Sequence, residues 1–111
     1  MTIFDERERA FENLFAHEEE VRFRALARRN QLFARWAAEQ LGLRGSECQA
    51  YIRSFVEGAI RPQSEAALID RVRADFLAEG VESTERISAA FVTAMAEAVR
   101  QVRTETRADA R

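Results

Sequence analysis

The chain of 111 residues is 47% hydrophobic and 32% charged, with 4 Gly and 1 Pro. That is too apolar for a disordered chain, too poor in turn formers for an all-β fold, and the length of one small domain. Nineteen acidic residues against 17 basic ones leave a net charge of -2, so no global field draws the chain to nucleic acid or to an anionic membrane.

The first 41 residues hold neither Gly nor Pro and would suit one long helix, yet their pattern is not uniform. At helical spacing Phe4, Phe11, Leu14 and Phe15 cluster on one arc, and Leu32, Phe33 and Trp36 return to it further along. Between them Glu18, Arg22 and Arg29 point into that arc, where a continuous core-facing helix needs Leu or Ala. Ala16-His17-Glu18-Glu19-Glu20 carries no large apolar side chain, which places a division near residue 18. Residues 1–18 are read as a separate amphipathic arm, with Arg7 in the middle of its apolar stripe. Protein interfaces are enriched in aromatic residues and Arg, so the stripe suits a helix that docks on a partner. It equally suits an N-terminal helix packed on its own domain, with Arg7 snorkelling at the edge. Asp5, Glu6, Glu8 and Glu12 outnumber Arg9 on the polar side, the wrong sign for anionic lipid.

Four helices are expected after the arm, at about 19–41, 46–59, 64–79 and 84–103. Phe23, Leu26, Leu32, Phe33, Trp36 and Leu41 supply the apolar residues of the first. Gly42 ends it in a left-handed conformation, and Ser46 with Gln49 forms a capping box for the next. There Cys48, Tyr51, Ile52, Phe55, Val56 and Ala59 fall at i, i+3, i+4, i+7, i+8 and i+11. Pro62 and a cap at Ser64 precede Leu68, Ile69, Val72 and Phe76, a run that Gly80 stops. Ser83 or Thr84 caps the last helix, whose rows are Ile87, Phe91, Ala94, Ala98, Val102 and Val92, Met95, Val99. Residues 105–111 lack an apolar anchor and are expected to fray. Short connections between such helices specify an all-α fold, a small antiparallel four-helix bundle preceded by a mobile amphipathic arm.

The sequence argues against chemistry. The lone Cys excludes an intramolecular disulfide framework, and one Cys with one His cannot build a structural zinc site without help from carboxylates. His17 with Glu20 has the spacing of half a carboxylate-bridged metal site, but no second His completes it, so no metal is expected. No Gly-rich phosphate loop and no activated nucleophile are seen, so neither a cofactor nor an enzyme is expected, and Cys48 reads as a core thiol. Arg22, Arg24, Arg28 and Arg29 form one basic cluster beside Glu18, Glu19 and Glu20, which suits a salt-bridged helix face better than a DNA reader. No signal peptide is expected from the charged start, and every apolar stretch is interrupted well before about 18 residues, so no membrane span is expected.

Phe4-Asp5-Glu6-Arg7-Glu8-Arg9-Ala10-Phe11-Glu12-Asn13, then Phe15-Ala16-His17, Arg22-Phe23, Ala27-Arg28-Arg29-Asn30, Leu32, Trp36-Ala37-Ala38 and Arg71-Val72-Arg73-Ala74-Asp75 form a long specific run. In these residues the chain resembles the zeta-type inhibitor subunit of the alphaproteobacterial F-type ATP synthase, over most of its length to about Val102. The resemblance implies a bundle that stays outside the enzyme as an anchor. It also implies an arm that turns helical as it wedges between the catalytic alpha and beta subunits near gamma, stopping hydrolytic rotation. Phe4, Phe11 and Phe15 would fill the crevice, and Asp5, Arg7, Glu8, Arg9 and Glu12 would pair with its walls. The protein would then be cytoplasmic, held at the inner membrane through the synthase, and monomeric when free. Leu14 stands where a basic residue is expected, enlarging the apolar stripe in a way that favours packing the arm on its own bundle. Ile60-Arg61-Pro62-Gln63 replaces an acidic connection. The alternative is a helical adaptor, or a homo-oligomer in which Phe4, Phe11 and Phe15 cover the seam.

Overall fold

The computed structural model describes residues 3–57, 64–82 and 84–109, and all of its regular structure there is helical. Five helices follow in order: α1 (Ile3–Asn13), α2 (Glu19–Gln40), α3 (Gly45–Glu57), α4 (Glu65–Ala78) and α5 (Thr84–Asp109). The chain leaves its first helix where the sequence divides. Phe15 N–H donates to the Glu12 carbonyl at 3.1 Å and Glu18 N–H to the Phe15 carbonyl at 3.0 Å, making a tight turn before α2. Glu19 and Glu20 then occupy the first turn of α2, where its positive end favours carboxylates, a stabilisation they would lack in the middle of a single long helix.

Helix α2 ends at Gly42, whose φ of 76° is left-handed. Leu43 N–H reaches the Ala38 carbonyl at 3.0 Å and Gly42 N–H the Glu39 carbonyl at 3.1 Å, which satisfies two of the last orphan acceptors. Gly80 closes α4 in the same way, with Val81 N–H on the Phe76 carbonyl at 2.8 Å. At the other end of α4, Ser64 is the cap, its hydroxyl accepting from Ala67 N–H at 3.1 Å. The candidate cap Ser83, the end of the α3 stripe at Ala59 and the 60–63 connection lie outside the described residues.

Helix α2 packs on both α3 and α5, and α4 packs on α5. Arg24 near the start of α2 bonds Glu105 near the end of α5, while Gln40 at the end of α2 accepts from Arg86 near the start of α5. The larger core centres on Phe33, which is fully buried. Its ring meets Phe91 edge-on at 5.0 Å and Phe55 at 6.3 Å, and stacks on Trp36 at 6.2 Å, all favoured aromatic geometries. Ile52, Leu68, Ile69, Val72, Phe76, Ile87 and three alanines, Ala34, Ala37 and Ala94, complete the buried set, with Cys48 and Tyr51 packed against it.

Two expectations are corrected. Phe23 is 74% exposed, because the buried row of α2 runs through Ala25, Arg29, Phe33 and Ala37, and a residue two positions before Ala25 lies on the far side. Helix α5 also runs on to Asp109 instead of fraying after 103, since Glu105 accepts from both Arg24 and Arg28, and Val102 is fully buried.

Helices α3 and α4 are joined by Tyr51, whose hydroxyl donates to Asp75 Oδ2 at 2.7 Å, and by Arg71, which bonds Ser54 and lies 3.9 Å over the Phe55 ring. Burial, then the Asp75 bond, push the Tyr51 phenol above its ordinary 10.0. The protonated phenol therefore contributes stability that is fully present below 10.0 and is lost as pH rises through the raised value. The chain has 1 Tyr, so an ultraviolet titration reads this group alone. A midpoint above 10.0 that drops in Asp75→Asn is expected; an ordinary midpoint would contradict the contact.

Candidate functional site

The arm contributes a helix with two unlike faces. On the inner face Arg7, Glu8, Phe11 and Phe15 turn toward the rest of the chain, while Glu6, Arg9, Ala10, Glu12, Asn13 and Leu14 are exposed. Phe11 is 3% and Phe15 1% exposed, and their rings pack at 5.5 Å in a second small core with Ala25 of α2 and Val102 of α5. Val21, Leu26, Met95 and Val99 line the same seat. Each Phe so buried contributes about 1.5–3 kcal/mol over leaving it in water.

The sequence expects Leu14 to strengthen such packing. Its side chain instead points outward, 54% exposed, and only its carbonyl takes part, accepting from Arg103 Nη2 at 2.9 Å. Arg103 is the clamp at this end: it bonds Glu18 at 3.0 Å and places its guanidinium 4.6 Å over the Phe15 ring. Glu12 reaches Arg22 only at 4.0 Å, between an exposed and a half-buried side chain, a contact worth little.

The other end of the arm meets α4 at a group of four charges. Arg7 Nη2 lies 2.8 Å from Glu65 Oε1, and Glu65 is 1% exposed. Glu8 Oε1 accepts from the Glu65 backbone N–H at 2.6 Å, placing a carboxylate on an orphan donor at the positive end of α4. Arg29 of α2, 5% exposed, closes the group from below, with its guanidinium 4.8 Å over Phe91 and 5.7 Å over Phe11. Burial pulls Arg29 down to about 10 against the opposing pull of Glu65 and Glu8, so it stays cationic at neutral pH.

Burial pushes the Glu65 carboxyl above its ordinary 4.5, and Arg7 and Arg29 draw it back only in part. A raised value means that the folded chain holds this proton more tightly than the unfolded chain does. The resulting contribution is present below 4.5 and is lost as pH rises through the raised value. The melting temperature of the wild type relative to Glu65→Gln should accordingly fall as pH rises from 4.5; a constant difference would contradict the assignment.

Of the sequence-predicted site residues, the structure brings Arg7, Glu8, Phe11 and Phe15 together and leaves Arg9, Glu12 and Leu14 facing outward. The side chains of Phe4 and Asp5 lie outside the described residues. The basic cluster of α2 divides, Arg24 and Arg28 pairing with Glu105 and Arg29 turning into the core. Sequence reasoning missed Glu65, Arg103 and Glu105 as partners, and saw Arg29 as a charge in an apolar arc and as one of a basic cluster on a salt-bridged helix face, not as a buried group.

Arm and helices together fall within one family. ATPase inhibitor subunit zeta matches residues 1–101, the arm included. The chain belongs to this family. A comparison with curated proteins gives no match. In this zeta-family chain the matched region spans the arm, its seat on α2 and most of the length of α5. No described helix is long and apolar enough to cross a membrane.

Proposed function

We propose that the chain is a non-catalytic regulator that suppresses ATP hydrolysis by the F-type ATP synthase. In this reading residues 1–18 are the inhibitory element, and α2 to α5 form an antiparallel four-helix bundle that remains outside the enzyme. The arm inserts at the interface of the catalytic alpha and beta subunits near gamma and blocks rotation in the hydrolytic direction, a mechanical ratchet that needs no chemistry. The protein then works peripherally, at the membrane where the synthase sits.

The observation that carries this reading is the family match, which begins at residue 1 and so includes the arm. The arm's residue types support it: aromatic rings fill a crevice, and Arg and Glu pair with its walls, as interface anchors do elsewhere. Arg9, Glu12 and Leu14 face outward, which supports a role for them in contact with a partner.

Deletion of residues 2–15 should abolish inhibition in an ATP hydrolysis assay. The deleted chain should keep its helical spectrum, because the larger core around Phe33 contains no arm residue. Undiminished inhibition by that variant would refute the arm's role.

A further inference from the structure

We infer that the arm is held shut by its own bundle, and that release from this seat, made by Val102 and Glu65 among others, sets inhibitory strength. The inference rests on the inhibitory reading above and adds a regulation to it. Phe11 and Phe15, the side chains offered to a partner, are the same two that the α2 and α5 seat buries. One ring cannot fill two crevices, so the seat and the enzyme compete for the arm.

The charges are arranged for such an exchange. Arg7 and Glu8 belong to the arm, while Arg29 and Glu65 belong to the bundle, so the group divides on opening into two sets of zero net charge. Opening breaks the Arg7–Glu65 ion pair, and the attraction of Arg29 for Glu65 leaves that carboxylate a balancing charge on the bundle. Arg29 also keeps its closer aromatic partner, Phe91, when Phe11 departs. The break in helix at 14–18 supplies the hinge, and Arg103 bridges it through Leu14 and Glu18. The exposed face of the arm carries Arg9, Glu12 and Leu14, so it presents contacts to a partner before the buried rings are withdrawn.

When only an open fraction is competent to bind, apparent affinity is reduced by that fraction. Weakening the seat without touching the arm must therefore strengthen inhibition. Val102→Ala opens a gap beneath the Phe pair, and Glu65→Lys sets a third cation against Arg7 and Arg29; both changes lie on the bundle.

The test pairs amide exchange with titrated inhibition of ATP hydrolysis, using the full chain in wild-type form and in each variant. Protection at residues 6–15 should drop while that at 33–38 and 68–76 persists, and the half-inhibitory concentration should fall by roughly tenfold. Loss of arm protection with unchanged or weaker inhibition would overturn the latch while leaving the inhibitory reading intact. Unchanged arm protection in both variants would overturn the seat. Loss of protection throughout one variant passes the decision to the other. If neither wild type nor variants inhibit, the functional reading fails, whatever the exchange data say of the arm.

Discussion

Phe33→Ala should lower the unfolding free energy by about 3–5 kcal/mol, the range for emptying the site of a fully buried Phe. Phe33 earns the upper part of that range. It is fully buried, it is edge-on to Phe55 and Phe91 and stacked on Trp36, and so its loss breaks three aromatic contacts at once. Those rings come from α2, α3 and α5, whose backbones cannot close the gap together. Stabilities of about 5–15 kcal/mol are usual, so the melting temperature should fall by roughly 15–25 °C. A loss below about 1 kcal/mol in denaturant unfolding would mean that Phe33 is not the centre of the core.

Arg29→Ala should cost about 3 kcal/mol, far more than the surface pairs of the same helix. The guanidinium is buried between two rings and opposes Glu65 and Glu8, so its removal leaves two carboxylates facing Arg7 alone. It also leaves a void beside Phe91. Arg24→Ala, by contrast, removes one of two partners of a half-buried Glu105 and should cost no more than about 1 kcal/mol. Arg29→Met keeps the packed stem without the charge and should recover part of the loss. Equal costs for Arg29→Ala and Arg24→Ala in chemical denaturation would show that Arg29 is not held as described.

What could be read from the sequence follows from what pattern encodes. Periodicity and glycine punctuation located the helices, because Gly42 and Gly80 are left-handed stops and apolar spacing marks a buried stripe. The carboxylate run at 18–20 marked the turn before α2, since those charges suit a helix start. Facing was less legible. Phe23 is as apolar as Phe33, but a strip of alanines sets the buried row of α2, and small residues give little periodic signal. Pairing across the chain was not legible at all. Glu65 looks like an ordinary first-turn acid, and only the fold reveals that Arg7 and Arg29 meet there. Likewise the end of α5 has no apolar anchor of its own, and is held by Arg24 and Arg28, which stand far away in sequence. The arm's rings suited docking on a partner and packing on the chain's own domain equally; the seat that receives them here is formed by residues whose own periodicity already assigned them to the bundle.

The proposed function of this zeta-family chain is a mechanical restraint on hydrolysis in one direction. The most direct measurement is ATP turnover by membrane-embedded F-type ATP synthase, titrated with the full chain in both directions. Hydrolysis should fall to a low plateau as the chain is added, while synthesis driven by a proton gradient stays near its starting rate. Undiminished hydrolysis at saturating chain would contradict the inhibitory claim, and equal loss of synthesis would contradict the ratchet.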